Sequence, residues 1–368
     1  MTTLSIVQPY VPTYRLPFFE GLRRELAQDD IELEVVAGQA TDAQKLRGDE
    51  AHAPWIKTVQ TRELSVGGRT LSLTYSRRLW KESDAVIVPH QGTSIDAVSA
   101  LASADARRVG VWGHIASYTS PLNPVDGAVE NWQLRRAGHV FAYVPSGAAY
   151  AIDRGIHPDR VTTVMNTIDT TSLDDALNRT TEREVLEFRG EHEIPDGPFL
   201  AYIGGLDSSK RVDLLVDALG ILHSRRSRVH VVVAGRGEQE DMLAPAIARG
   251  QVTHIGYASP AVKAPLLKGA AAIVNPGRVG LIAVDALTSG RRLITTDWPW
   301  HAPEIEYLVA GESVILTGSS AEEFAQGLQK ESDESSLTEH RPSWPQPPRL
   351  HEMIGNYRRG VLTLLSGP

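Results

Sequence analysis

The chain has no cysteine among its 368 residues. That absence excludes disulfides, thiol nucleophiles and thiolate-bound zinc, and it suits a reducing compartment. Lysine is scarce, with seven against thirty arginines, a bias that fits a GC-rich genome and carries no functional reading. Excess positive charge is also missing. The 37 basic residues face 45 acidic ones for a net charge of −8 and a pI near 5.9, the reverse of the balance expected of a nucleic-acid binder. No uncharged apolar run reaches the roughly 18 residues that a spanning helix needs. The amino terminus M-T-T-L-S-I-V-Q-P-Y lacks the basic region and apolar core of a signal peptide. No His-x-x-x-His, Asp-x-Asp pair or carboxylate cluster offers metal ligands, so neither a metal nor another cofactor is expected.

What is present is alternation. Short apolar strands at Leu4 to Gln8, Ile31 to Ala37, Ala85 to Pro89, Arg108 to Gly113, Val140 to Val144 and Val161 to Met165 are separated by amphipathic stretches such as Pro17 to Ala27 and Ile95 to Ala104. This is the pattern of a parallel sheet covered on both faces. The polar segment 169–197 reads as an interdomain connection with a short helix around Arg183 to Arg189. The alternation then restarts at Phe199 and runs to a last helix at Ala321 to Gln329. The expected organisation is a Rossmann-like domain over 1–168, the connection, a second Rossmann-like domain over 198–331, a proline-broken linker over 332–349 and a helix over Leu350 to Leu365. Two such α/β domains in tandem leave a cleft, a common place for a small-molecule site.

Two motifs carry the chemistry. In V-N-P-G-R-V-G-L-I-A-V-D-A-L-T-S-G-R-R-L-I-T-T-D, Val274 to Asp297, a strand enters a Pro-Gly loop and then a helix from about Gly280. The N–H groups of Val279, Gly280 and Leu281 are thereby placed to meet an anion or a sugar hydroxyl. In Y-I-G-G-L-D-S-S-K-R, Tyr202 to Arg211, a strand ends in Gly204-Gly205, and Lys210-Arg211 open the next helix. Glycines permit close backbone approach, and a lysine near a helix start meets a diphosphate with both charge and dipole. The plainer reading of Lys210 is a solvated lysine at a helix cap.

The first motif resembles the donor-site signature of GT-B glycosyltransferases of the retaining family-4 type. Pro276, Gly280, Asp285-Ala286, Gly290 and Thr296-Asp297 fall in register with it. The usual first Glu of the signature, eight positions before the second acid, is Gly277 here, the second acid is shortened to Asp285, and the loop Arg of the other motif is Gly205. The P-G-x-V-G-L form is similar to a variant found in bacterial polysaccharide-type transferases.

The resemblance implies a GT-B fold with two Rossmann-like domains facing each other across a cleft, and a C-terminal helix crossing back to the first. It implies that Gly204, Gly205, Lys210, Gly277, Val279, Gly280 and Leu281 surround the donor diphosphate, with Arg211 or Arg278 replacing the missing charge. It further implies that Asp285 accepts the ribose hydroxyls, that Glu304 lies by the donor sugar and that Arg236 lines the base pocket. His114, after the strand that ends Val111-Trp112-Gly113, would face the donor sugar. His114 and Lys210 are therefore the catalytic candidates. Tyr14 and Arg15, in the loop after the first strand, are acceptor contacts. Phe18, Phe19 and Leu22 beside Arg23 and Arg24 suit either a core-facing helix stripe or a membrane-surface contact.

The expected activity is metal-independent hexosyl transfer from a nucleotide-sugar donor to a glycan, lipid-linked or small-molecule acceptor, located in the cytoplasm or at a membrane surface, with retained configuration. The alternatives are a sugar-nucleotide epimerase of the same fold and a non-catalytic sugar-nucleotide-binding homologue.

Overall fold

The computed structural model describes residues 1–46, 48–66, 69–103, 105–119, 121, 123–334 and 344–367. It divides into two units: Met1–Lys45, Asp49–Asp169 and Pro348–Pro368 form the first, and Leu46–Gly48 with Thr170–Pro347 form the second.

The first unit runs β1 (Thr2–Gln8), α1 (Leu16–Ala27), β2 (Ile31–Gly38), α2 (Asp42–Lys45), β3 (Ile56–Val59), β4 (Thr61–Val66), β5 (Arg69–Thr74), α3 (Arg77–Trp80), β6 (Ala85–Pro89), α4 (Ile95–Leu101), β7 (Val109–Gly113), α5 (Pro124–Arg136), β8 (His139–Ala142), α6 (Pro145–Asp153) and β9 (Val161–Thr163). Seven strands form a sheet in the order β3-β2-β1-β6-β7-β8-β9, and β4 and β5 pair separately as an antiparallel hairpin. Burial on both faces explains the nearly continuous apolar strands. Leu4, Ile6 and Ile87 pack with α1, while Val7, Val86 and Val88 pack on the opposite face with α4 and α6, as the period of two requires.

The second unit begins with α7 (Thr170–Arg179) and α8 (Glu182–Glu191), then β10 (Leu200–Ile203), α9 (Val212–Ser224), β11 (Val231–Ala234), α10 (Ala244–Ala248), β12 (Val252–Gly256), α11 (Pro260–Gly269), β13 (Ala272–Val274), α12 (Ile282–Ser289), β14 (Leu293–Thr296), β15 (Val314–Thr317) and α13 (Ala321–Glu334). Its sheet order is β12-β11-β10-β13-β14-β15. The strand order reverses between β10 and β13 here, and between β1 and β6 in the first unit. Ligands of open α/β sheets bind at the carboxyl ends of the strands at such reversals. Both sequence motifs of the second unit follow the strands at its reversal.

The final helix, α14 (Leu350–Ser366), belongs to the first unit and lies against α1. Gly21 makes the close crossing possible, since a Cβ there would come within 2.3 Å of Ile354 Cδ1. Arg358 clasps Asp29 with two hydrogen bonds of 2.6 Å. Tyr357 stacks on Phe141 at 4.6 Å between centroids and meets Trp112 and Phe18 edge-on at 5.0 and 5.3 Å.

Several stretches differ from expectation. The segment 169–197 holds α8 over the helix expected around Arg183 to Arg189 and, beyond expectation, α7; they pack on the second unit through Phe188 and Leu173, and α8 starts with a reciprocal Thr181–Glu184 capping box. Between β11 and β12 the chain forms a 3-10 turn at Glu240–Leu243 followed by α10 in place of one longer helix, because Pro245 fits only a helix start. The last helix of the second unit continues to Glu334, held by the Arg292–Glu331 ion pair at 3.2 Å. Residues 332–334 of the expected linker are thus helical, 344–349 carry no regular structure, and the rest of that expectation lies outside the described residues. The strands β3, β4 and β5 gave no sequence signal, being short and half-exposed.

Tyr357→Ala should destabilise the protein by about 3–5 kcal/mol, as removal of a buried aromatic ring does. Tyr357→Phe should be neutral or slightly stabilising, because the buried hydroxyl has no hydrogen-bond partner among the described residues. Urea unfolding of both variants, followed by tryptophan fluorescence, checks this pair.

Candidate functional site

In the second unit the loops after β10 and β13 are bonded directly to each other. The Arg278 N–H donates to the Ser209 carbonyl at 2.7 Å. The Arg278 carbonyl accepts from Lys210 Nζ at 2.5 Å and from Asn275 Nδ2 at 3.2 Å. Gly277 sits where the loops touch, and a Cβ there would lie 2.4 Å from the Ser209 carbonyl oxygen and 2.8 Å from Lys210 Cα. An acidic side chain has no room at that position. The absence of the signature's first Glu is therefore part of how this loop packs.

The rest of the β10 loop is equally constrained. Gly204 has φ of +153°, a conformation few L-residues adopt, and Lys210 Cε passes 3.9 Å from where its Cβ would stand. The Gly205 carbonyl accepts from the Tyr202 hydroxyl at 2.7 Å. The G-R-G stretch after β11 packs beneath: a Cβ on Gly235 would strike the Gly204 carbonyl oxygen at 1.9 Å, and one on Gly237 the Leu206 carbonyl oxygen at 2.3 Å. Those glycines serve loop contact. Arg236 between them is exposed, with its guanidinium beside Gly256 at the end of β12.

Arg211 adopts the left-handed region at φ 54° and binds Asp213 through Nε at 3.1 and 3.0 Å. Its guanidinium lies 5.1 Å from the centroid of Trp298. Arg278 Nε reaches the Trp300 carbonyl at 3.4 Å.

Around α12 the sequence reading needs revision at one atom. The Val279 N–H is taken by His301 Nδ1 at 3.1 Å, so it is not available to an anion. The Gly280 and Leu281 N–H groups have no partner among the described residues. His301 Nε2 lies 3.0 Å from the Thr296 carbonyl, which fixes the proton on Nε2. Burial pushes its pKa down, and the nearby Lys210 charge acts the same way. His301 was not singled out from the sequence, although it opens the H-A-P-E segment that drew attention to Glu304. Glu304 itself is buried at 3% exposure, in a 3-10 turn at Pro303–Tyr307 packed against α12.

Asp285 is 4% exposed, and Lys263 of α11 stands 2.7 Å from its Oδ1. Burial raises the pKa of Asp285, and the Lys263 ammonium opposes that rise. The partner was not foreseen, since nothing in the local pattern links Lys263 to Asp285.

In the first unit the loops after β1, β6 and β7 enclose a cavity of about 490 Å³. Tyr14, Arg15 and His114 all line it, together with His90, Glu130 and Tyr143. Tyr14 is exposed at 43%, whereas Arg15 is 6% exposed. The Arg15 guanidinium donates to Asn166 Oδ1 at 2.6 Å and lies 5.4 to 5.7 Å from the rings of Tyr14, Trp112 and Tyr143. It thereby fastens the β1 loop as well as facing the cavity. His114 meets Tyr143 edge-on at 5.0 Å. The following residue, Ile115, has φ of 72°, a left-handed conformation that is a true outlier for a β-branched side chain. Burial of Ile115 at 2% exposure holds it there, and this fixes where the His114 side chain leaves the backbone. His90 has its pKa lowered by burial to about 4, so its ring is neutral at pH 7. Phe18, Phe19 and Leu22 are buried in the core, which settles that stripe as core-facing.

Among the described residues no group of His, Asp and Glu is arranged to hold a metal ion, and no helix is long and apolar enough to cross a membrane.

A family model described as glycosyl transferases group 1 matches residues 197–331. No curated protein matches the chain. Among solved structures, the chain is similar to Alr3699/HepE of Anabaena in complex with UDP and glucose, at 15% identity and a TM-score of 0.66, with 97% of this chain and 98% of that one covered. It is similar to a glycosyltransferase from Rickettsia africae at 14% identity and a TM-score of 0.64, with 99% and 96% covered. It is also similar to the UDP-GlcNAc 2-epimerase of Methanocaldococcus jannaschii at 16% identity and a TM-score of 0.58, with 97% and 99% covered. The family-4 assignment is overturned. The matching model is that of group 1 glycosyl transferases, and of the three positions at which the chain departs from the family-4 signature, Gly277 is packed against the β10 loop and Gly205 accepts the Tyr202 hydroxyl through its carbonyl. The fold is GT-B, with two Rossmann-like α/β domains and a C-terminal helix that returns to the first.

Proposed function

We propose that the protein is a metal-independent glycosyltransferase that moves a hexosyl group from a nucleoside diphosphate sugar to an acceptor hydroxyl. The observation that carries this reading is the junction of the two loops at the sheet reversal of the second unit. There Lys210 Nζ is held on the Arg278 carbonyl, two and three residues before Gly280 and Leu281, whose N–H groups have no partner among the described residues. A lysine and two N–H groups at a helix start neutralise a diphosphate without a metal, and they act on charge that grows as the leaving group departs.

Asp285 is the ribose ligand in this reading. A carboxylate accepts two hydroxyls only while ionised, and the Lys263 ammonium favours that form against the rise that burial causes. Arg236 lines the base pocket and Glu304 the sugar. Arg211 and Arg278 are bound to neighbours in their own loops, so Lys210 supplies the main charge at the phosphates. The first unit provides the acceptor side, with Tyr14 and Arg15 at the cavity and His114 toward the transferred sugar. In the transfer itself the acceptor oxygen bonds to the anomeric carbon, and the bond from that carbon to the diphosphate oxygen breaks with its electron pair going to the diphosphate. The acceptor proton passes to a phosphate oxygen on the same face, which retains the configuration.

A thermal-shift panel of UDP, GDP, dTDP and ADP with their sugars tests the donor site. A nucleotide at about a hundred times its dissociation constant should add roughly 2.7 kcal/mol to stability. The shift should survive EDTA and disappear in Lys210→Ala, and its absence with every nucleotide would sink the reading. Incubation with donor alone, followed by NMR, separates transfer from epimerisation.

Restoring the signature acid with Gly277→Glu should lower stability and remove the nucleotide shift, where a gain in binding would contradict the packing argument. Lys263→Met should cost about 3 kcal/mol at pH 7, in the range for breaking a buried pair. Asp285 has a raised pKa in the fold, so the unpaired carboxyl is tolerated when protonated. The deficit should therefore shrink as the pH falls into the carboxylate range, as read from denaturation midpoints at several pH values.

A further inference from the structure

We propose that Glu130 is the acceptor-binding carboxylate of the first unit, and that the acceptor it takes is an uncharged hydroxylated molecule of the sugar or polyol class; this rests on the transferase reading. Glu130 lies on α5 and faces the cavity bounded by the loops after β1, β6 and β7. Its Oε1 accepts the Gly92 N–H at 3.0 Å, while Oε2 has no partner among the described residues. The attachment is rigid, because Gly92 packs so closely on α5 that a Cβ there would lie 2.8 Å from the Asp126 carbonyl oxygen. His90 Nε2, 3.2 Å from the Glu130 carbonyl, anchors a neutral ring beside it.

The neighbouring groups define the ligand. A single carboxylate oxygen open to a cavity is a hydrogen-bond acceptor suited to a hydroxyl donor. Among the described residues the cavity lining contains no lysine, and the guanidinium of its one arginine, Arg15, donates to the neutral amide of Asn166, so Arg15 and Glu130 bring one charge of each sign to the lining, a balance that suits an uncharged acceptor. Asp126, one turn earlier on α5, is paired with Arg69, which offsets its negative charge. The rings of Tyr10, Tyr14 and Tyr143 border the space and offer flat apolar faces to the C–H side of a sugar ring. Burial raises the pKa of Glu130, and Asp126 adds to the rise, in keeping with a carboxylate turned into a partly closed cavity.

Glu130→Gln tests this with little structural cost, because the amide oxygen still accepts the Gly92 N–H. Saturation-transfer NMR titrations would compare methyl glucoside, methyl mannoside and glycerol with glucose 6-phosphate and glucosamine, on wild type and variant. A neutral probe should bind wild type and weaken about tenfold or more in Glu130→Gln, while the thermal midpoint and nucleotide shift stay unchanged. The proposal is overturned if no neutral probe binds, if the variant binds as well as wild type, or if a charged probe binds more tightly. Nucleotide binding is measured in the same samples. Its failure would remove the transferase reading and leave the sugar-probe result standing, whereas equal transfer rates in wild type and variant would remove only Glu130.

Discussion

The peptide unit of Arg278 is the point on which the second unit's site depends. Its N–H and carbonyl are both used to join the loops after β10 and β13. The close contact at Gly277 lets this happen, and Lys210 is thereby drawn from a flexible surface cation to a fixed position beside the start of α12. A lysine tethered through its ammonium to a carbonyl loses much of its rotamer freedom before a ligand arrives. Preorganisation of this kind is what makes an electrostatic site effective.

The two histidines that flank the candidate sites are both kept neutral, by the same physical cause. Burial removes water from His90 and His301, and each spends one ring nitrogen on a backbone carbonyl. They act as fixed struts, with His301 tying the turn after β14 to the start of α12. At the proposed donor site of the second unit Lys210 stands on the Arg278 carbonyl and Lys263 on Asp285, whereas Arg15 and Glu130 bring one charge of each sign to the cavity of the first. That division suits an anionic donor on one unit and an uncharged acceptor on the other.

Backbone strain falls beside the same residues. Ile115 follows His114 and Arg211 follows Lys210, and both adopt left-handed conformations. Such positions persist only where surrounding packing over-determines them. Here burial of Ile115 and the Asp213 and Trp298 contacts of Arg211 provide that support, so each candidate side chain leaves its loop in a set direction.

The sequence alone determined the two α/β sheets, because strands buried on both faces must be apolar throughout and the helices between them must alternate with them. It also determined the two loops of the second unit, since glycine and lysine at strand ends have few other uses. The short edge strands and the β4–β5 hairpin were not legible, being too exposed to carry a periodic signal, and the polar composition of 169–197 showed α8 but concealed α7, whose apolar face is narrow. Tertiary structure alone decided which groups meet: Lys263 with Asp285, His301 with the Val279 N–H, and Glu130 with Gly92, pairs separated by 22 to 38 positions in the chain. It also decided that Gly277 is a packing requirement, because what excludes a side chain there is the carbonyl of Ser209, a group that no local pattern around Gly277 can reveal.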